Sequence, residues 1–262
     1  MTLRGFALIG FLAFLNCGST QQSANSVASP ALQLWERILA KKGGRERLTR
    51  IENFLIVTKQ AQTRRLLDVD LYMFPNRFWT WNDGRPSPIG VRMDISDGTG
   101  TWSAIAEWGR RRNNRDVKWF PFSREQTFAL IRDEARFLLE TRWLQPGSLQ
   151  LGTGQIGKRR FDTIVADYGI DDQFKFKYYI DSETLLVSRV AQLPEKNTPS
   201  TLTEWDFDEY KLIDGVMMPS RERQRGFGTF LLDFEFNVEY DPAIFTRRPA
   251  IEDGPDGWKP NK

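Results

Sequence analysis

Histidine is absent from this chain of 262 residues, and cysteine occurs once, at Cys17. Without histidine, the chain lacks the usual base for activating a serine and the commonest ligand for a transition metal. A single cysteine cannot form a disulfide within the chain, so the fold must be stabilised by packing. The formal net charge of +3 is too small for a nucleic-acid-binding surface unless it is clustered. We therefore expect no metal, no cofactor and no nucleic-acid partner.

The N-terminal segment has the composition of a secretory signal. Arg4 precedes an apolar run at 6–15, and a polar stretch at 21–26 follows. The apolar run is too short to span a bilayer, which takes about 20 apolar residues, but it has the length of a signal-peptide core. Residues 1–28 are therefore predicted to be a signal peptide and polar tether, and the mature chain is predicted to be periplasmic, beyond the inner membrane.

Two ways of processing this signal remain open. The small residues Ser26 and Ala28 fit cleavage by an ordinary signal peptidase, in which case Cys17 is lost with the signal. Alternatively, Cys17 directly follows the apolar region, which is typical of a lipoprotein whose cysteine is acylated. The three residues before it, 14–16, depart from the usual lipoprotein pattern. Lipidation at Cys17 is thus one of two alternatives.

The remainder of the chain alternates between helix and strand patterns. A first helix is predicted from Ser29-Pro30 to Gly43-Gly44, with an apolar face of Leu32, Trp35, Ile38 and Leu39. A second is predicted from Ser123 to Pro146, with an apolar face of Phe128, Ile131, Ala135, Leu138 and Leu139 and a polar face of Arg132, Asp133, Arg136 and Glu140.

Period-two alternation predicts strands, most clearly at 230–240. The other predicted strands are 67–73, 78–81, 91–95, 101–106, 161–167, 174–180, 185–193, 202–212 and 216–224. Many antiparallel strands with two helices give the α+β class, most simply as one curved sheet against the helices. We expect a single domain at 29–246 and a poorly ordered, Pro- and Gly-rich tail at 247–262.

Two motifs have a functional and a structural interpretation. Gly152, Gly154 and Gly157 have the spacing of a dinucleotide-binding loop, but an alternating strand follows them instead of a helix, so glycines in a hairpin turn are favoured. Glu204, Asp206 and Asp208 share a strand face and could in principle supply an acid and a base. A solvated strand face, opposite Trp205 and Phe207, is favoured for them. The same solvated environment is expected for Asp68 and Asp70.

The strongest charge cluster contains Arg110, Arg111, Arg112 and Arg115, between Trp108 and Trp119. Basic and aromatic residues together are typical of contact with an anionic membrane surface. A solvated hairpin tip is the alternative, because blocks of like charge are usually exposed.

Several short strings resemble the LolA-like family of envelope lipoprotein carriers. They include Phe74-Pro75-Asn76-Arg77, Asp97-Gly98-Thr99-Gly100, Tyr178-Tyr179-Ile180-Asp181 and Ile213-Asp214-Gly215-Val216. The resemblance covers nearly all of residues 30–246. It implies an unclosed antiparallel β half-barrel whose concave, apolar face is covered by helices and forms a cavity for acyl chains. The arginine that holds the lid in the family's carriers has no match here.

The resemblance and the aromatic content, 13% of residues, lead to a functional hypothesis. The protein is expected to be a non-enzymatic envelope protein that binds or carries a lipid or an acylated protein. Cavity-lining residues are expected among Leu71, Met73, Trp79, Trp81, Phe128, Ile131, Leu138, Phe176, Tyr178, Phe230 and Phe234. Two alternatives stay open: a structural or assembly lipoprotein with envelope protein partners, and a carboxylate-dependent hydrolase.

Overall fold

The computed structural model describes residues 28–85, 90–106, 115–121, 132–139, 147–168, 175–193, 203–249 and 254. Helix α1, Pro30–Lys42, begins where Ser29 Oγ accepts a hydrogen bond from the Leu32 amide at 3.2 Å. It ends at Gly43, whose φ of 143° suits a residue without Cβ. The predicted first helix is confirmed. Leu32 nevertheless faces solvent, and Leu34 takes its place on the buried face.

Two further helical segments lie among the described residues. Helix α2 is the short Arg45–Thr49. Residues 132–138 are helical and form the described part of the second predicted helix, which we call the cover helix. Within the part of the chain that the structure describes, no helix has the length and apolarity needed to cross a membrane.

The strands that the structure describes form one antiparallel sheet of 13. They are β1 Asn53–Gln60, β2 Leu66–Met73, β3 Arg77–Asp83, β4 Val91–Ser96, β5 Gly100–Ala106, β6 Arg115–Pro121, β7 Ser148–Ile156, β8 Arg159–Asp167, β9 Lys175–Ile180, β10 Val187–Gln192, β11 Thr203–Ile213, β12 Val216–Gln224 and β13 Gly228–Phe236. All the predicted strands are present. The predicted set did not include β1, β6 and β7.

The order in space is β6-β5-β4-β3-β2-β1-β13-β12-β11-β10-β9-β8-β7. Two meanders therefore meet where β1 pairs with β13, with Ile56 opposite Phe234. Among the described strands, the edges β6 and β7 do not pair with each other, so the sheet is unclosed. This is the predicted α+β class with an open antiparallel sheet. The chain from β6 to β7 runs from one edge to the other, and the cover helix lies on that connection.

Both faces of the sheet are buried near β1. Phe54 and Ile56 belong to a core cluster with α1 and the cover helix, whereas Leu55 between them belongs to a second cluster on the opposite face. A 3₁₀ helix, Pro242–Phe245, closes the second cluster with Ile244 and Phe245. Because two layers cover one sheet here, β1 begins with four consecutive buried residues instead of an alternation.

The glycine-rich string has a structural role. Gly152 and Gly154 lie within β7, and Gly157, with φ of 59°, lies in the turn to β8. No helix opens there. A Cβ on Gly154 would lie 2.5 Å from Cε1 of Tyr179, so the absent side chain makes room for this ring, which extends from β9 over the same face of the sheet. The favoured hairpin interpretation is confirmed for Gly157, and the other two glycines belong to the strand.

Candidate functional site

A polar cluster interrupts the core beneath the cover helix. On β2, the residues that share a face with Phe54 and Ile56 are Tyr72, Asp70 and Asp68, since Phe54 pairs with Tyr72 and Ile56 with Asp70. The expectation that both aspartates face water is wrong, because they are half-buried beneath the helix. Burial raises the pKa of Asp68, and it raises that of Asp70 well above its usual value, with the nearby carboxylate of Asp68 adding to the effect.

The cover helix supplies the opposite half of this cluster. Asp133 Oδ2 accepts a hydrogen bond from Tyr72 Oη at 2.8 Å, and its Oδ1 lies 3.2 Å from Arg136 Nη2 and 3.5 Å from Arg132 Nε. Burial alone would raise the pKa of Asp133, but the two arginines and the Tyr72 hydrogen bond outweigh it and hold that pKa below its usual value. The described members of the predicted polar face, Arg132, Asp133 and Arg136, contact groups on the sheet or one another, and Glu140 lies outside the described residues.

Arg136 connects the helix to the far half of the sheet. Its Nη1 lies 3.6 Å from Oε2 of Glu222 on β12. Its guanidinium carbon lies 4.1 Å from the ring centre of Phe137 and 5.1 Å from that of Trp205 on β11. Burial raises the pKa of Glu222. Arg136 is therefore held both by charge and by two aromatic rings.

A cleft of about 910 Å³ opens beside this cluster, at the rim where β11 begins and β12 ends. The described residues that line it are Arg132, Arg136, Thr203, Glu204, Trp205, Gln224, Arg225 and Phe227. Phe227 is 76% exposed in the turn between β12 and β13, whereas Trp205 is buried. The walls thus combine aromatic surface with guanidinium groups.

The residues predicted to line a cavity fall into two groups on opposite faces. Leu138, Phe176, Tyr178 and Phe234 lie in the core under the helices. Leu71, Trp79 and Trp81 lie in the second core, with Met73 packed against it. Phe230 is half-buried on the helix-covered face, opposite Glu222. Phe128 and Ile131 lie outside the described residues. None of the described members lines the cleft, and whether any of them contacts a ligand stays a prediction.

The sequence predictions missed Trp205, Arg225 and Phe227 as a group. Trp205 was noted only as the apolar side of a strand. A detectable signal was present at 225–227, where an aromatic residue follows Arg225 and Gly226 in a turn between two strands. Aromatic side chains in such turns are seldom needed for packing.

Glu204, Asp206 and Asp208 lie on the face opposite Trp205 and Phe207, as predicted. They form ion pairs there: Arg189 lies 3.2 Å from Glu204 Oε2 and 2.5 Å from Asp206 Oδ1, and Arg223 lies 2.9 Å from Asp206 Oδ2. Burial on its own would raise the pKa of Asp206, but the hydrogen bonds from Arg189 and Arg223 hold it below its usual value. A carboxylate held ionised in this way is poorly suited to act as a general acid.

Other predicted site residues are only partly covered. Cys17 and the arginines at 110, 111 and 112 lie outside the described residues. Arg115 begins β6, where its backbone pairs with Ala106 at the end of β5, so the basic run belongs to the connection between these strands. Within the described ranges, no group of three or more acidic or cysteine side chains is arranged to hold a metal ion.

Comparisons with known proteins give distant structural neighbours only. No family model and no curated protein matches the chain. A DUF1329 family protein from Desulfovibrio piger aligns with a TM-score of 0.46 at 12% identity, covering 83% of this chain and 98% of that one. A LolA superfamily protein from Nitrosomonas europaea aligns at 0.43 and 14%, covering 84% and 99%.

A third neighbour is a putative outer membrane lipoprotein-sorting protein domain from Vibrio parahaemolyticus, with a TM-score of 0.40 and 13% identity over 82% of this chain and 95% of that one. Overlaps at this level say nothing about activity. The chain is thus similar in structure to proteins that include a LolA superfamily member, the family that its sequence strings resemble.

Proposed function

We propose that this protein is a non-enzymatic protein of the cell envelope that binds a lipid, or the acyl chain of a lipoprotein, in the cleft at the β11–β12 rim. The observation that carries the proposal is the composition of this cleft. Its volume of about 910 Å³ lies within the usual range for small-molecule sites, about 300–1,000 Å³. Trp205 and Phe227 provide apolar wall, and an exposed Phe227 gains free energy when a ligand covers it.

The energetics of an acyl ligand agree with a site at a rim. Each methylene that leaves water gains about 0.8 kcal/mol, but it gains a similar amount in a membrane. A protein that exchanges acyl chains with membranes must therefore match the bilayer without binding more tightly. A cleft open to solvent, with apolar area limited to a few rings, meets this requirement better than a fully enclosed cavity.

The cover helix bounds the cleft through Arg132 and Arg136. Its inner surface is anchored by Phe137 in the core and by the charged contacts of Asp133 and Arg136. The core contacts and the ion pairs therefore hold in place the wall of the cleft that this helix contributes.

We propose a periplasmic location, which the signal-like composition of residues 1–28 supports, and acylation of Cys17 would anchor the protein to a membrane. Arg110, Arg111, Arg112 and Arg115, at the β5–β6 connection, are proposed to contact an anionic membrane surface. Such contact adds about 1 kcal/mol for each base close to the lipid. The ligand would then be exchanged at that surface.

A second candidate function is an assembly role with envelope protein partners. Edge strand β6 exposes Trp119 by 49% and Phe120 by 46%, and an exposed aromatic edge is typical of a surface that another chain covers. This role does not need the cleft, so ligand binding distinguishes the two. The ion pairs of Glu204 and Asp206 with Arg189 support the non-enzymatic proposal over a carboxylate-dependent hydrolase.

The test combines native mass spectrometry of gently purified protein with titration of a fluorescent fatty acid. Truncation of Phe227 to alanine is expected to weaken binding of the fatty acid about 5- to 10-fold, because the ring loses part of the 1.5–3 kcal/mol that burial of a phenylalanine contributes. Leu212, which is 67% exposed on β11 away from the cleft, provides the control Leu212→Ala and should have no effect. Absence of both co-purifying lipid and fatty-acid uptake would exclude the proposed function.

A further inference from the structure

We propose that the cleft selects amphiphiles with an anionic headgroup, a phosphate or carboxylate that Arg225 and Arg132 bind beside the rings of Trp205 and Phe227. The inference deepens the proposed function and rests on it, since it names the chemical class of the ligand. It is carried by the balance of charge around the cleft and by the placement of cationic groups next to apolar wall.

Cationic groups dominate the lining of the cleft. Among the described lining residues are three arginines and one acid, Glu204. The carboxylate of Glu204 is already engaged, because Nη1 of Arg189 lies 3.2 Å from its Oε2. Arg225 lies exposed in the turn after β12, and it makes no ion pair with any residue that the structure describes. Its guanidinium is therefore available to an anion from solution.

The carboxyl groups behind the cleft compensate Arg132 and Arg136 only in part. Asp133 is shared between both arginines, at 3.5 Å and 3.2 Å. Glu222 lies 3.6 Å from Arg136. Arg132 thus shares the Asp133 carboxylate with Arg136, and its side chain is 40% exposed, so an anion in the cleft can reach it.

The geometry suits an amphiphile better than a free anion. A guanidinium presents a planar fork that binds carboxylate or phosphate oxygens in pairs. The arginines share this cleft with Trp205 and Phe227, and the Phe227 ring is 76% exposed in the same turn as Arg225. An anionic head on Arg225 therefore brings the first methylenes of its chain against Phe227.

The experiment compares two ligands with the same chain in displacement of the fluorescent fatty acid: dodecyl phosphate below its critical micelle concentration, and dodecanol below its solubility limit. Wild-type protein is expected to bind dodecyl phosphate about tenfold more tightly than dodecanol, and added salt should reduce this preference. Arg225→Gln should lower the affinity for dodecyl phosphate about three- to tenfold and leave that for dodecanol unchanged. Arg160→Gln makes the same charge change at an exposed position on β8 and should have no effect.

The possible outcomes distinguish a failure of this inference from a failure of the proposed function. If dodecanol and dodecyl phosphate bind equally well, and Arg225→Gln changes neither affinity, selection of an anionic headgroup is contradicted. The proposed function would still stand. Failure of both ligands to bind would overturn the proposed function itself. If inorganic phosphate displaces the probe as effectively as dodecyl phosphate does, the cleft is a site for free anions, and selection of an amphiphile is contradicted.

Discussion

The phenol of Tyr72 on β2 donates a hydrogen bond of 2.8 Å to the carboxylate of Asp133 on the cover helix. This bond connects residues that are 61 positions apart and lies between the apolar core and the charged cluster. It ties the helix to the β1–β6 half of the sheet, whereas Arg136 ties it to Glu222 on the other half. The helix is therefore fixed across the junction of the two meanders.

Removal of this bond is expected to destabilise the fold measurably. Tyr72→Phe should lower the free energy of unfolding by about 1.5–3 kcal/mol, the range for a hydrogen bond to a charged group. Tyr240→Phe is the matched control, since the Tyr240 hydroxyl makes no hydrogen bond within the described residues. The ring of Tyr240 packs on Phe245, and a phenylalanine ring keeps this contact. Urea unfolding measures both. Equal losses in the two variants would show that the Tyr72–Asp133 bond does not stabilise the helix.

Asp70 is expected to make the protein less stable as the pH rises. Its pKa is raised in the folded state, so above about pH 4 the folded chain binds more protons than the unfolded chain, and the free energy of unfolding falls with increasing pH. The charged and titratable groups near it are Asp68, Asp133, Arg132 and Arg136. Asp70→Asn removes the ionisation and should reduce this fall.

Urea midpoints between pH 4 and pH 8 test this directly. The Asp70→Asn variant should gain stability relative to wild type at pH 8 and little at pH 4. Asp162→Asn, at an exposed position on β8, should follow the wild-type curve. A pH dependence identical in the Asp70 variant and the wild type would contradict the raised pKa.

Lys42 is expected to destabilise the protein at neutral pH. Its ammonium group is buried at the end of α1, 3.2 Å from Met218 Sδ and 5.9 Å from the ring centre of Tyr210. Burial lowers its pKa to about 7. Between that pH and about 10.4 the unfolded chain binds more protons, so stability rises with pH.

Lys42→Met should therefore stabilise the protein by about 1–4 kcal/mol at pH 6, as apolar replacements of buried charges do, and by much less near pH 10. Thermal or urea unfolding at both pH values provides the measurement, with Lys41→Met, at the exposed neighbouring position, as control. A gain of the same size at pH 6 and pH 10 would contradict the lowered pKa.

Elements with local signals could be predicted from the sequence. Ser29 and Gly43 mark the ends of α1 because capping and positive φ depend on residues within one turn. The alternation from Phe230 to Phe236 identifies β13 because side chains of a strand alternate between two faces. Period two shows which residues share a face, but it does not show what covers that face.

This limit explains the wrong environment predicted for β2. Asp68, Asp70 and Tyr72 share a face, and so do Val69 and Leu71, as the sequence indicated. The sequence contains no local signal that the cover helix lies over the aspartates while Ile244 and Phe245 pack in the cluster that contains Val69 and Leu71. Both layers come from chain segments distant in sequence, so both faces of the strand are covered instead of one.

The amino-acid sequence by itself determined the absence of histidine, the strand alternation and the ends of α1, because each depends on residue types and near neighbours. Only the tertiary structure decided which strand faces meet the helices and which residues form the cleft. Arg132, Trp205 and Phe227 come together because antiparallel pairing aligns the start of β11 with the end of β12. The passage of the chain from β6 to β7 then places the cover helix beside them.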